Sequence, residues 1–196
     1  LTRGTETKTR AEFENALQSL GAQVRAQAGE GHIFVSGTTL SRNFAATMAL
    51  VEEMLLHPRW DPAELDLVKA NVTAAIQGER AEPNVIAERV LARLVWGDNH
   101  ILGKGPLGTE ASVASFQPPD LAAFHKAGLV PSSARLRVAG AVSEADVKSA
   151  LERLAGAWPA GTATPVTATV PPSPGPTKIY FYDMPGAKQS VLLFAN

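Results

Sequence analysis

At 196 residues, with 45% apolar and 19% charged side chains, the chain can build a sizeable core and is too hydrophobic to be disordered. A net charge of −1 and a pI near 6.5 exclude a nucleic-acid footprint or polybasic membrane patch, and no apolar run approaches the roughly eighteen residues of a bilayer span. Zero cysteines exclude disulfides, thiolate zinc sites and a cysteine nucleophile, and fit cytoplasm and periplasm alike.

The chain opens Leu1-Thr2-Arg3-Gly4 without an initiator Met, which points to a fragment or a processed form. Thr9 and Glu12 form a capping box for a helix that turns Phe13, Ala16, Leu17 and Leu20 inward and stops at Gly21. Residues 22–28 alternate small apolar with polar side chains and read as a strand. After a turn at Gly29-Glu30-Gly31, His32 to Thr39 reads as a second strand, so an antiparallel hairpin is expected. Ser41 or Asn43 starts a helix with Phe44, Met48, Val51 and Leu55 on one face, ended by Pro58.

The longest helical signal is Asp61 to Gly97. Asp61 is a good N-cap, Pro62 suits the first turn, and Glu64 is placed to complete a capping box. Leu65, Val68, Val72, Ala75 and Ile76 recur at three and four, which predicts a buried face. Glu82-Pro83 breaks the run, and a second helix carries Val85, Ile86, Val90, Leu91 and Leu94 to Gly97. The most buried-looking turn of the first run, Thr73-Ala74-Ala75-Ile76, holds no carboxylate, histidine or cysteine.

A glycine-rich loop follows from Asp98 to Gly108. Thr109 caps a short helical turn through Val113 and Phe116, and Pro118-Pro119-Asp120 opens a helix with Leu121 and Phe124 inward. Ala134 to Gly140 alternates strictly and reads as a strand, and Ser143 with Asp146 caps a helix that runs through Val147, Leu151 and Leu154 to Trp158. Residues 159–176, with six prolines, read as an extended linker. Lys178 to Asp183 and Gln189 to Phe194 are β-rich runs around a turn at Met184 to Ala187.

Local chemistry is sparse. His32, His57, His100 and His125 form no His-x-x-x-His face. His57 suits a helix C-terminus, His32 and His125 read as ordinary, and His100 in the glycine-rich loop is the best exposed functional candidate of the four but reads first as a surface residue. Gly103 to Thr109 lacks the G-x-x-x-x-G-K-[ST] pattern, no G-x-S-x-G elbow occurs, and Glu52-Glu53 and Glu79/Glu82 read as solvated acids.

Taken in order, several segments resemble the insulinase, pitrilysin and mitochondrial-processing-peptidase family of zinc metallopeptidases, in a bacterial form. They are Leu1 to Thr5 with the Thr9–Gly21 helix, Pro58 to Asp61, Trp96 to His100, Gly108 to Val113, Arg137 to Val142 and Tyr182 to Ser190. The resemblance covers nearly the whole chain. It implies an inverted zinc motif, His-x-x-Glu-His, upstream of Leu1, and a third ligand, a Glu, in the turn matching Ala74 and Ala75. Alanine has no lone pair for a metal, so no catalytic or metal-binding residue is assigned, with Glu79 as the alternative ligand one helical turn later. The fold implied is α+β, an antiparallel sheet with helices on one face: residues 1–158 as a partial first half-repeat, 159–176 as linker, 177–196 as the start of a second.

The function implied is a non-catalytic subunit or domain that forms chamber wall and helps hold peptide. Its zinc would sit in a catalytic partner subunit or domain, or the chain would pair as a homodimer. The alternatives are an active peptidase using Glu79 and a pure assembly module that binds no peptide.

Overall fold

A computed structural model describes residues 1–29, 31–162, 176, 178–186 and 188–195. The described residues form seven α-helices and one antiparallel pair of strands, an α+β fold. The chain divides into two compact units: Leu1–Leu65 with Gln117–Pro165, and Asp66–Phe116 with Val166–Asn196.

In the first unit, α1 (Arg10–Ser19) starts at the expected capping box: Thr9 Oγ1 accepts from the Glu12 N–H at 3.3 Å, and the Thr9 N–H donates to Glu12 Oε2 at 2.8 Å. Gly21, at φ +61°, closes the helix in the left-handed region that glycine enters without a Cβ clash. Strands β1 (Gln23–Gly29) and β2 (His32–Thr38) pair from Gln23 opposite Thr38 to Gly29 opposite His32, and Gly31 sits at φ +74° in the loop. A 3₁₀ turn at Ser41–Asn43 leads into α2 (Phe44–Leu56), and Asn43 donates its amide to the Leu20 carbonyl at 2.8 Å.

The core of this unit joins Phe13 and Leu17 of α1, Ala22, Val24 of β1, Leu50, Met54 and Leu55 of α2, and Leu154 from the last helix. Phe13 and Met54 are the two largest apolar side chains sealed from solvent, at 1% and 0% exposure. The segment before α1 is stitched to the segment after α2: the Glu6 N–H donates to the His57 carbonyl at 2.8 Å, and the Arg59 N–H to the Gly4 carbonyl at 3.1 Å.

Helix α3 (Pro62–Glu79) begins where expected, with Asp61 Oδ1 accepting from the Ala63 N–H at 2.9 Å. The Glu64 side chain turns to Arg3 at 3.4 Å and Arg10 at 3.7 Å, which opposite charge favours over the reciprocal capping bond. Pro83 starts α4 (Pro83–Trp96) at its first position, and Gly97, at φ +82°, follows its end. In the second unit α5 (Glu110–Ser115) is tied to α3: Lys69 Nζ donates to the Ala114 carbonyl at 3.1 Å, and Glu110 takes Gln77 at 3.2 Å and Arg80 at 2.7 Å.

Helix α6 (Pro118–Gly128) departs from expectation. Phe124 is 67% exposed, because the helix is anchored through His125, whose Nε2 lies 2.7 Å from the Leu55 carbonyl and whose ring meets Trp60 edge-on at 5.5 Å. Successive helical residues are about 100° apart, so anchoring at position 125 swings its neighbour outward. Phe116 likewise sits outside, at the end of α5. Helix α7 (Glu144–Ala157) starts at Ser143 as read and buries Ala150 and Leu154, and the Trp158 indole donates to the Leu129 carbonyl at 2.9 Å.

Two expected β features have no ladder. Ala134 to Gly140 lies outside any sheet, with Leu136 and Val138 exposed, and residues 178–186 and 188–195 hold a turn at Pro185-Gly186 but no paired strand. Alternation favours an extended chain, but a strand also needs a neighbour for its backbone groups, and among the described residues none is paired there. Most of the proline-rich 159–176 stretch, residues 163–175, lies outside the described residues.

Candidate functional site

The turn matched to the family's third zinc ligand is Thr73 to Ile76 of α3. Ile76 is buried, with Val72 and Thr73 half-buried beside it, but Ala74 and Ala75 are exposed. This corrects the expectation that this turn is the most buried one. The inner line runs from Val72 to Ile76, an i, i+4 pair, which leaves Ala74 and Ala75 on the outer side. Neither can donate electrons to a cation.

Glu79, the alternative ligand, closes the same helix. Both its oxygens accept from Arg89 Nη2 of α4, at 2.7 and 2.6 Å, and each side chain is 29% exposed. A cation there would have to displace a charge-assisted pair. Among the described residues, no three His, Cys, Asp or Glu side chains gather closely enough to hold a metal ion. A catalytic zinc needs three protein ligands, and neither alanine side chain can serve as one.

The histidines stand apart. His57 Nδ1 is 3.5 Å from Glu6 at the end of α2, and His125 braces α6 as described above. His32 opens β2. His100, expected on the surface, is only 6% exposed: its ring stacks on Trp96, centroids 4.6 Å apart, and Nδ1 accepts from the Leu102 N–H at 3.1 Å. A Trp four residues earlier was the signal for that burial, but Gly97 between them hid the return of the chain. Gly103 sits tightly under the same loop, where an added Cβ would overlap the Gly97 carbonyl oxygen. Gly103→Ala is therefore expected to lower stability by about 1–3 kcal/mol, read in a urea melt.

Glu52 and Glu53 are also not solvated acids. Glu52 accepts from Arg153 of α7 at 2.7 Å. Glu53 accepts from Thr5 Oγ1 at 2.5 Å, from Thr7 Oγ1 and from Lys8 Nζ at 2.7 Å. Burial pushes the Glu53 carboxyl up, but these bonds outweigh it and hold the group below its ordinary value. Their partners lie more than forty residues away, so no local pattern announced them.

A cavity of about 250 Å³ in the first unit has Phe13, Leu17 and Val24 on its apolar side and Arg3, Arg10 and Glu14 on its polar side. Arg3 is paired with Glu64, and Arg10 with Glu14 at 2.8 Å, so the charges at this cavity are spent within the chain.

No family model matches the chain. Over 163 residues it is 28% identical to the uncharacterized zinc protease YmxG of Bacillus subtilis (strain 168), which covers 83% of this chain and 39% of that protein. It superposes on the peptidase M16 inactive domain from Pseudomonas fluorescens with a TM-score of 0.76 at 19% identity, over 87% of this chain and 41% of that one. The chain is thus similar in sequence to a zinc protease and shares the fold of a peptidase M16 inactive domain. The first half of the periplasmic protease PqqL from Escherichia coli has a similar fold, at a TM-score of 0.69 and 17% identity, over 87% of this chain and 37% of that one. The chain thus spans well under half the length of these relatives. Among the described residues, no helix is long and apolar enough to cross a membrane.

Proposed function

We propose that this chain is a non-catalytic half of an insulinase-type peptidase, which forms chamber wall and helps hold peptide for a zinc-bearing partner domain or subunit. One observation carries the reading: the α3 turn where the resemblance puts a zinc-binding Glu presents Ala74 and Ala75, and the nearest acid along the helix, Glu79, is engaged by Arg89. The likeness to the Pseudomonas fluorescens inactive domain supports it. In this reading residues 1–158 are most of one half-repeat, and 177–196 begin the next after a proline-rich linker.

The test uses this chain, purified alone and then mixed with a metallopeptidase subunit that carries an intact His-x-x-Glu-His. Metal analysis is expected to find no stoichiometric zinc in the protein alone, and peptide cleavage should appear only in the mixture. One zinc per chain, with cleavage abolished by Glu79→Ala, would overturn the proposal in favour of an active enzyme. A mixture that cleaves no better than the catalytic subunit alone, with no peptide bound by the chain, would reduce it to an assembly module.

A further inference from the structure

We propose that the Gly97–Gly108 loop is a lock that holds Arg89 across Glu79 and keeps the last acid of α3 from any cation. The guanidinium is gripped at both of its tips. Nη2 donates to both Glu79 oxygens, at 2.7 and 2.6 Å, while Nη1 lies against Gly105. Gly105 is itself fixed by the turns on either side of it. Before it, the Gly103 N–H donates to the His100 carbonyl at 3.0 Å, and the Lys104 N–H to the Ile101 carbonyl at 3.3 Å. After it, the Gly108 N–H donates to the Gly105 carbonyl at 3.1 Å. His100, stacked on Trp96, seats this folded loop on the end of α4.

Arg89 Nε points to the loop, and not the ion pair alone, as what sets this pose. It is buried and meets no acceptor among the described residues, which is disfavoured for a donor. A free arginine would turn to hydrate Nε while an Nη kept its carboxylate, because the side chain has many rotamers. The close approach of Gly105 blocks that turn. Only glycine permits the approach: an added Cβ would overlap Nη1 and stand 2.7 Å from Cζ. The obstacle there is the tip of a flexible side chain, whereas at Gly103 it is a backbone carbonyl. Gly105 also lies outside the left-handed region, so alanine suits its backbone. Gly105→Ala therefore displaces the guanidinium, spares the loop and leaves Glu79 without its partner. The consequence for metal rests on the reading proposed above, in which Glu79 is the nearest acid to the Ala74-Ala75 turn.

The experiment labels the carboxylates of this chain with a water-soluble carbodiimide and an amine at neutral pH, and locates the adducts by mass spectrometry. Exposed Glu88, on the same helix as Arg89, is the internal reference. Glu79 is expected to react more slowly than Glu88 by about threefold or more, because a charge-assisted pair must open first. Gly105→Ala and Arg89→Gln should each raise the Glu79 rate by about threefold and leave Glu88 unchanged. In the double variant the two gains should not add, since both act through one guanidinium. An unchanged Glu79 rate in Gly105→Ala, or gains that add, would sink the inference. The natural chain decides it even if a variant does not fold: a locked guanidinium gives two resolved Nη signals in ¹⁵N spectra, and a single averaged signal would refute the lock. No metal or peptide enters these measurements, so their failure leaves the cleavage test standing, and failure of that test leaves the lock intact.

Discussion

Phe13→Ala should cost about 3–5 kcal/mol of stability, with a fall in melting temperature of roughly 10 °C, followed by circular dichroism. Phe13 is 1% exposed and sits where α1, β1 and α2 meet, with Leu17, Val24 and Met54 in the same cluster. Removing its ring takes away both the buried apolar area and the packing of its neighbours, and a core built from several elements collapses only partly into the hole. Phe124→Ala supplies the contrast. It deletes the same side chain from a position 67% exposed, and its effect should stay within about 0.5 kcal/mol. Equal losses in the two variants would mean that α6 packs with the opposite face inward.

Glu53→Gln is the second large effect, and its size depends on pH. The carboxylate gathers Thr5, Thr7 and Lys8 and so fixes the segment before α1 onto α2. Hydrogen bonds to a charged group contribute about 1.5–3 kcal/mol, and glutamine keeps the shape but loses the charge, so a loss of about 2 kcal/mol at neutral pH is expected. Folding lowers the pKa of Glu53, although burial alone would raise it. A lowered folded value means that the contribution is fully present above the ordinary carboxylate range and disappears as pH falls through the folded value. Urea melts of both proteins should therefore differ by a constant amount near neutrality and converge below about pH 4. A gap that widened in acid would show the carboxylate to be destabilising.

What could be read from the chain alone were the features decided within a few residues. Thr9 with Glu12, Ser143 with Asp146, the Pro83 break and the Gly29–Gly31 turn each fix local backbone geometry, and each stands where expected. Several of the misreadings depended on distant partners. Phe124 turned outward because His125 found the Leu55 carbonyl seventy residues away. Ala134 to Gly140 has the side-chain alternation of a strand, but pairing is decided by another segment. Glu53 looked like a surface group because its charge is the only local cue, and His100 did because Gly97 hid the return of the loop onto Trp96. At the candidate site, the absence of ligating atoms in the Ala74-Ala75 turn was legible, whereas the Arg89 grip on Glu79 was not.

The exposure of Ala74 and Ala75 bears on how the present sequence could have arisen. Alanine and glutamate differ by only a few tenths of a kcal/mol in helix propensity, and an outward-facing position adds no packing penalty to either. Stability therefore exerts little pull between the two residues at these positions. A lineage could exchange acid for alanine there, or reverse the exchange, without passing through a poorly folded ancestor, so retention of alanine would reflect selection on chemistry or its absence, never on the fold.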